Sequence, residues 1–281
     1  MIINCLEIRD ELTANLPKIK GTAVFIQVGD RADSNTYIAN KIKLCEKHRI
    51  AYNHFHLTED VTEEELINHI NAFNDTKDVT GIMVQLPLPK HINEEAVINA
   101  IAPEKDIDGF THINKGKLLV GDETGIVPCT PLGIMSILKA INFDPKGKNV
   151  VVVGRSNIVG KPMVQLLINA GATVTCCNSN TPKETLKNLI FNSDLFISAI
   201  DKPWYFDVEY FGKDNLHLLN NTIAIDVGIA RIQGKLVGNI NKELYDDFKA
   251  ITPVPGGVGP MTVASVLINI AKCEKIQSNN R

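Results

Sequence analysis

What most constrains this chain is a rhythm: short runs of β-branched residues alternate with helical patterns along nearly its whole length. That alternation predicts parallel α/β layering rather than a sandwich or a bundle. Two series separate. In the first, residues 23–28, 51–57 and 81–86 read as strands, and 34–48, 62–73 and 93–101 as helices, the second of them opened by a Thr62–Glu65 capping box. A break follows at Val127-Pro128-Cys129-Thr130-Pro131, where Thr130 is expected to cap a helix running to about Ile141 and Pro131 to take its first position. Beyond it, 149–153, 172–177, 194–200 and 222–227 are nearly continuous apolar strands, as in a parallel sheet covered on both faces. The loop from Thr252 to Pro260 leads into an apolar helix, 261–272, predicted to return to the first domain. A length of 281 residues suits two domains, placed at 1–127 with 258–281 and at 128–257.

Composition narrows the partners. A net charge of −3 and a pI near 6.2 give no global field for gathering nucleic acid or anionic lipid, so a small-molecule ligand is expected. Six cysteines lie without a C-x-x-C pair, which indicates neither a zinc ribbon nor a disulfide framework. The first residues lack a basic, apolar signal pattern, and no apolar run approaches the roughly 20 residues of a membrane span; a cytoplasmic location is the expectation.

Several motifs carry possible chemistry. Gly154-Arg155-Ser156-Asn157-Ile158-Val159-Gly160 follows a run of valines and opens a helix, where backbone N–H groups and the helix dipole can hold phosphate. It is an imperfect G-x-G-x-x-G, and any strand-to-helix turn could look the same. At the end of the next strand Asn178-Ser179-Asn180-Thr181 offers no carboxylate for ribose hydroxyls, while Arg155 supplies a cation; together these favour NADP over NAD, against the alternative that Arg155 is a solvated loop charge. Tyr37 and Lys41 share one helical face, although a lysine beside an apolar stripe commonly snorkels to the surface. Gln85 ends a strand before Leu86-Pro87-Leu88-Pro89, at the sheet edge that usually meets ligands, or is simply a loop glutamine. Asp106-Ile107-Asp108-Gly109 is not a calcium loop, because its twelfth position would be Lys117. His54 and His56 lack a third ligand at credible spacing, and no metal is expected.

Tyr37-x-x-x-Lys41, Gly81-Ile-Met-Val-Gln-Leu-Pro-Leu-Pro89, Lys105-Asp-Ile-Asp-Gly-Phe110, Pro128-Cys-Thr-Pro131, the 154–160 turn and Pro253-Val-Pro-Gly-Gly-Val-Gly-Pro-Met-Thr262 together resemble the bifunctional methylenetetrahydrofolate dehydrogenase/methenyltetrahydrofolate cyclohydrolase family, in order and spacing, from about Ile3 to Lys272. The resemblance implies an N-terminal folate-binding catalytic domain and a C-terminal Rossmann-like NADP-binding domain. It implies that Lys41 is catalytic, that Tyr37 packs on folate, that Gln85 pairs with Lys41 and that Asp108 anchors the pterin. Leu86, Pro87, Pro255, Gly256, Gly257, Val258 and Gly259 would border the folate, and Gly154, Arg155, Ser156, Ser179 and Ile229 would contact NADP. A homodimer paired through the cofactor domains is implied too. The chain departs from the family pattern at Thr111-His112, Asp201 and Ala230, and its stretch 204–221 is longer than the pattern expects. Asp201 could repel the cofactor unless it points to solvent. The alternatives are a cyclohydrolase with impaired dehydrogenase and a non-catalytic folate or nucleotide sensor.

Overall fold

The structure is a computed structural model, and it describes residues 1–279. In chain order the helices are α1 (Cys5–Ala14), α2 (Ala32–Lys47), α3 (Glu63–Asp75), α4 (Glu94–Ala100), α5 (His112–Leu119), α6 (Cys129–Ala140), α7 (Gly160–Asn169), α8 (Lys183–Phe191), α9 (Val208–Phe211) and α10 (Val258–Asn279). The strands are β1 (Thr22–Val28), β2 (Ala51–Leu57), β3 (Val79–Val84), β4 (Asn149–Val153), β5 (Thr173–Cys177), β6 (Leu195–Ser198), β7 (Ile223–Asp226), β8 (Ala230–Ile232), β9 (Lys235–Val237) and β10 (Ala250–Ile251). The chain divides into two compact units, one of residues 12–129 with 263–281, the other of 1–11 with 130–262.

The first unit holds a three-stranded parallel sheet, ordered β2-β1-β3. Side chains alternate across a strand, so β1 feeds two cores. Ala23 and Phe25 face Leu44 and Cys45 of α2 and Val266, Leu267 and Ile270 of α10, while Val24, Ile26 and Val28 face Leu66 and Ile70 of α3 and Val97 of α4. Both faces are therefore covered, and every residue of β3 is buried. The Thr62–Glu65 capping box opens α3 as predicted. At its other end the buried Lys105 ammonium takes the carbonyls of Phe73, Asn74 and Thr76.

In the second unit a five-stranded parallel sheet runs β10-β7-β6-β4-β5. Chain order reverses at β4, whose neighbours β5 and β6 lie on opposite sides. The carboxyl edge beside such a switch point is where open α/β sheets bind ligands. Phe196, Phe206, Phe211 and Phe248 fill one core, and residues 204–221 are absorbed into it through α9 and a short 3-10 turn at Lys213–Leu219.

The structure differs from the sequence reading in places. Residues 1–11 pack with the second unit rather than the first, because Ile3 donates its N–H to Ile251 and the Ile251 N–H returns to Met1. Helix α6 starts at Cys129, so Thr130 lies inside its first turn, with its hydroxyl 3.0 Å from that of Thr262. Helix α10 begins earlier and runs further than 261–272.

Candidate active site

In the first unit, three of the residues singled out by sequence converge. Helix α2 brings Lys41 against the carboxyl end of β3, where its ammonium donates to Gln85 Oε1 at 2.8 Å and touches Met83 Sδ at 3.0 Å. Gln85 is itself fixed, its amide donating to Leu86 O at 2.7 Å just before the cis Leu86–Pro87 peptide. Asp108 completes the cluster from the segment after the buried Asp106. Although Lys41 and Asp108 keep some solvent contact, protein atoms crowd both. Desolvation holds the Lys41 pKa below its ordinary value, with negative Asp108 opposing the shift. The same desolvation pushes the Asp108 carboxyl up to about 6, against the pull of Lys41 and a hydrogen bond from Cys129. Burial and Asp108 drive the Cys129 thiol well above its usual range, so it is a neutral donor at pH 7. The cluster can thus hold one proton on either of two displaced groups, which is what general acid–base chemistry requires.

Tyr37 sits one turn before Lys41 on α2 and is 39% exposed. Asp106 accepts from Thr111 N at 2.8 Å and from Asn114 Nδ2 at 2.9 Å, anchoring the loop that carries Asp108. Gly109, at φ +67°, lets that loop lie on residues 126–128, where a side chain would meet Ile126 O. His54 and His56 stack at 5.5 Å and bond to Gln27 and to Gly29 O. No group of three metal-ligating side chains occurs among the described residues.

The second unit gathers the other set at its sheet's carboxyl edge. Gly154 follows β4 at φ +124°, and any side chain there would collide with Ala199 O. Ser156 Oγ accepts from the N–H groups of Val159 and Gly160 at 3.2 Å each, just ahead of α7. Arg155 is exposed beside it, and Ser179 is exposed in the turn after β5 that Asn178 and Thr181 close. Ile229, after β7, reaches toward Gly259 of the 252–260 loop. Within that loop Val254–Pro255 is cis, Gly256 has φ +95° and Gly257 leaves no room for a Cβ beside Pro253 O.

Comparison with known proteins is decisive. Residues 5–108 match the tetrahydrofolate dehydrogenase/cyclohydrolase catalytic domain, and 128–278 match the NAD(P)-binding domain of the same family. The chain belongs to the tetrahydrofolate dehydrogenase/cyclohydrolase family. It is 43% identical over 276 residues to the bifunctional protein FolD of Agathobacter rectalis, covering 96% of this chain and 95% of that one. The crystal structure of the bifunctional enzyme FolD, methylenetetrahydrofolate dehydrogenase/cyclohydrolase, from Campylobacter jejuni superposes with a TM-score of 0.90 at 39% identity over 99% of each chain. The Trypanosoma brucei enzyme, solved with NADP cofactor and inhibitor, gives 0.85 at 32% identity over 99% of this chain and 96% of that one. The two-domain α/β reading therefore stands, and the chain is an enzyme of this family.

The β4–α7 turn fits the dinucleotide that the family uses. Gly154 packs closely on Ala199 and lets the chain turn sharply into α7, exposed Arg155 carries positive charge beside it, and no carboxylate stands at 178–181. Asp201 is exposed. Its flanks are pinned by Asn239, whose amide donates to Ile200 O at 2.8 Å and Lys202 O at 2.9 Å, so the loop's course does not depend on the side chain at 201. Asn239 and Asp226 were not singled out by sequence, yet Asp226 accepts from Gly228, Asn239 and Ile240 N–H groups and holds the loop bearing Ile229. Met83, Cys129 and Asn269 were likewise not singled out. Only the Pro-Cys-Thr-Pro phrase hinted at Cys129.

Proposed function

We propose that the chain oxidises 5,10-methylenetetrahydrofolate to the methenyl form with NADP and hydrolyses that product to 10-formyltetrahydrofolate. The observation that carries the reading is the Lys41–Gln85 hydrogen bond beside Asp108, in surroundings that depress a lysine pKa. Bound NADP supplies the hydride acceptor. For that step the chain's residues need only bind and orient, since nitrogen lone pairs of the substrate stabilise the cation formed. Hydrolysis asks more of them. Lys41 accepts a proton as water adds to the methenyl carbon and returns it to the departing nitrogen as the C–N bond breaks, while the hydroxyl proton leaves to solvent. Gln85 fixes the ammonium and Asp108 anchors the pterin. Tyr37, Leu86, Pro87 and residues 255–259 serve the folate; Gly154, Arg155, Ser156, Ser179 and Ile229 serve NADP.

A cytoplasmic homodimer belongs to the same reading. Among the described residues no helix is long and apolar enough to cross a membrane, and analytical sedimentation tests the dimer. The deciding experiment follows methenyl formation spectrophotometrically with NADP and with NAD, then its hydrolysis. Both activities are expected, with NADP preferred; absence of either activity overturns the bifunctional assignment.

A further inference from the structure

Asn269 on α10 is 1% exposed and belongs to none of the motifs. Its amide donates to two carbonyls, Ile107 O and Val127 O, each at 2.8 Å, and lies 3.4 Å from Cys129 Sγ. Its own oxygen is buried with no partner among the described residues. An unpaired buried acceptor costs stability. An asparagine kept for fold stability alone would be a poor choice here, and the two carbonyls it holds locate a second use. Ile107 immediately precedes Asp108, and Val127 lies two residues before Cys129. One amide therefore clamps together the two segments that carry the acid and the thiol of the Lys41 cluster.

The clamp also seats the thiol. Cys129 Sγ donates to Ile107 O at 3.4 Å, and the same oxygen takes the Asn269 amide on its other lone pair. Seated there, the thiol is close enough to Asp108 to favour its ionised form. We propose that Asn269 is a positioning residue for the Lys41 site, holding the Cys129 thiol and the segment that carries Asp108 together so that the carboxylate stays opposite the ammonium. This rests on the reading of Lys41 as the hydrolytic acid/base. The charged and titratable groups facing Asp108 are Lys41 from α2, Asp106 from its own segment and Cys129 from α6; Asn269 itself carries no charge. Loosening the thiol weakens its favourable interaction with the ionised carboxylate. Asp108 then protonates at higher pH, and Lys41 loses part of the negative charge that favours its ammonium.

Two variants test this: Asn269→Leu, similar in size without donors, and Asn269→Ser, smaller with one donor, in case the first does not fold. Two profiles are read against pH in each folded protein: the rate of methenyltetrahydrofolate hydrolysis, and acylation of Lys41 by a small amine-reactive reagent quantified on its peptide. The expected result is an acid limb of hydrolysis moved to higher pH by up to about one unit, the preference of a single hydrogen bond, with Lys41 acylation moved to lower pH. Adding Asn269→Leu to Cys129→Ala should give no further shift. Profiles that superimpose on the wild type, or equal shifts with and without Cys129, overturn the positioning role. The acylation profile does not depend on hydrolysis. A wild-type chain that fails to hydrolyse the substrate therefore refutes the functional reading alone, and the labelling still decides the role of Asn269.

Discussion

Around Lys41 the working atoms belong to side chains drawn out of water, whereas around Gly154 they belong to an exposed backbone turn. Lys41, Gln85, Asp108 and Cys129 come from four separate segments; Lys41 bonds to Gln85 at 2.8 Å, and the charges of Lys41, Asp108 and Cys129 act on one another, with their pKa values displaced chiefly by desolvation. The Gly154 turn comes from seven consecutive residues, and its main demands are a bare backbone and an exposed cation. Moving a proton depends on the energy of particular side chains, and that energy responds steeply to burial. Seating a phosphate needs N–H groups that any sequence supplies, provided nothing blocks the approach.

The sharpest way to break this contrast is Lys41→Met. Losing a general acid/base costs about 100- to 10,000-fold, so hydrolysis should nearly vanish while much of the dehydrogenase activity survives. Parallel assays of one purified preparation decide it; hydrolysis at the wild-type rate removes Lys41 from the mechanism. Gly154→Val should do the reverse. With backbone at φ +124° and Ala199 O in the way, the turn must shift, and a displacement of an ångström is worth about 100-fold in dehydrogenase kcat/KM, with hydrolysis largely kept. If both activities fall together, the two regions are not separable as described.

Arg155→Ala is milder. One charge-assisted contact to phosphate is worth roughly 1.5–3 kcal/mol, so the KM for NADP should rise about 10- to 100-fold with little change for NAD. Equal changes for both cofactors would mean that Arg155 does not read the extra phosphate. The smallest effect is in pH. Asp108 is pushed up to about 6, so kcat for hydrolysis should fall as pH drops through that value, while the KM for NADP stays level. Unfolding is not the cause expected of this group. A carboxyl whose pKa is raised on folding favours the folded state most at low pH, below the unfolded value near 3.8, and that contribution is lost as pH rises through 6. Circular dichroism across the same range separates the two explanations.

The same contrast explains what could be read from the sequence. The 154–160 turn is contiguous, so spacing, a preceding valine run and a following helix betray it. Lys41 and Gln85 were each visible only as ambiguous residues until the family phrases were put together, since spacing along the chain says nothing of contact across 44 residues. Cys129 and Asn269 meet across 140 residues and carry no local periodic signal. Strands β1, β3, β4, β6 and β7 were legible because burial on both faces makes them nearly continuously apolar. The β8–β9 pair and the two-residue β10 are too short to show a period, and the partnership of residues 1–11 with Ile251 rests on a single bridge.

The clamp that Asn239 places on Ile200 and Lys202 has a consequence for evolvability. Because the loop is secured at both flanks by a residue more than thirty positions away, position 201 can drift through charged, polar or small side chains while the backbone keeps its path. Such a site is one that selection, or a saturation library at that one codon, can vary without unsettling the fold.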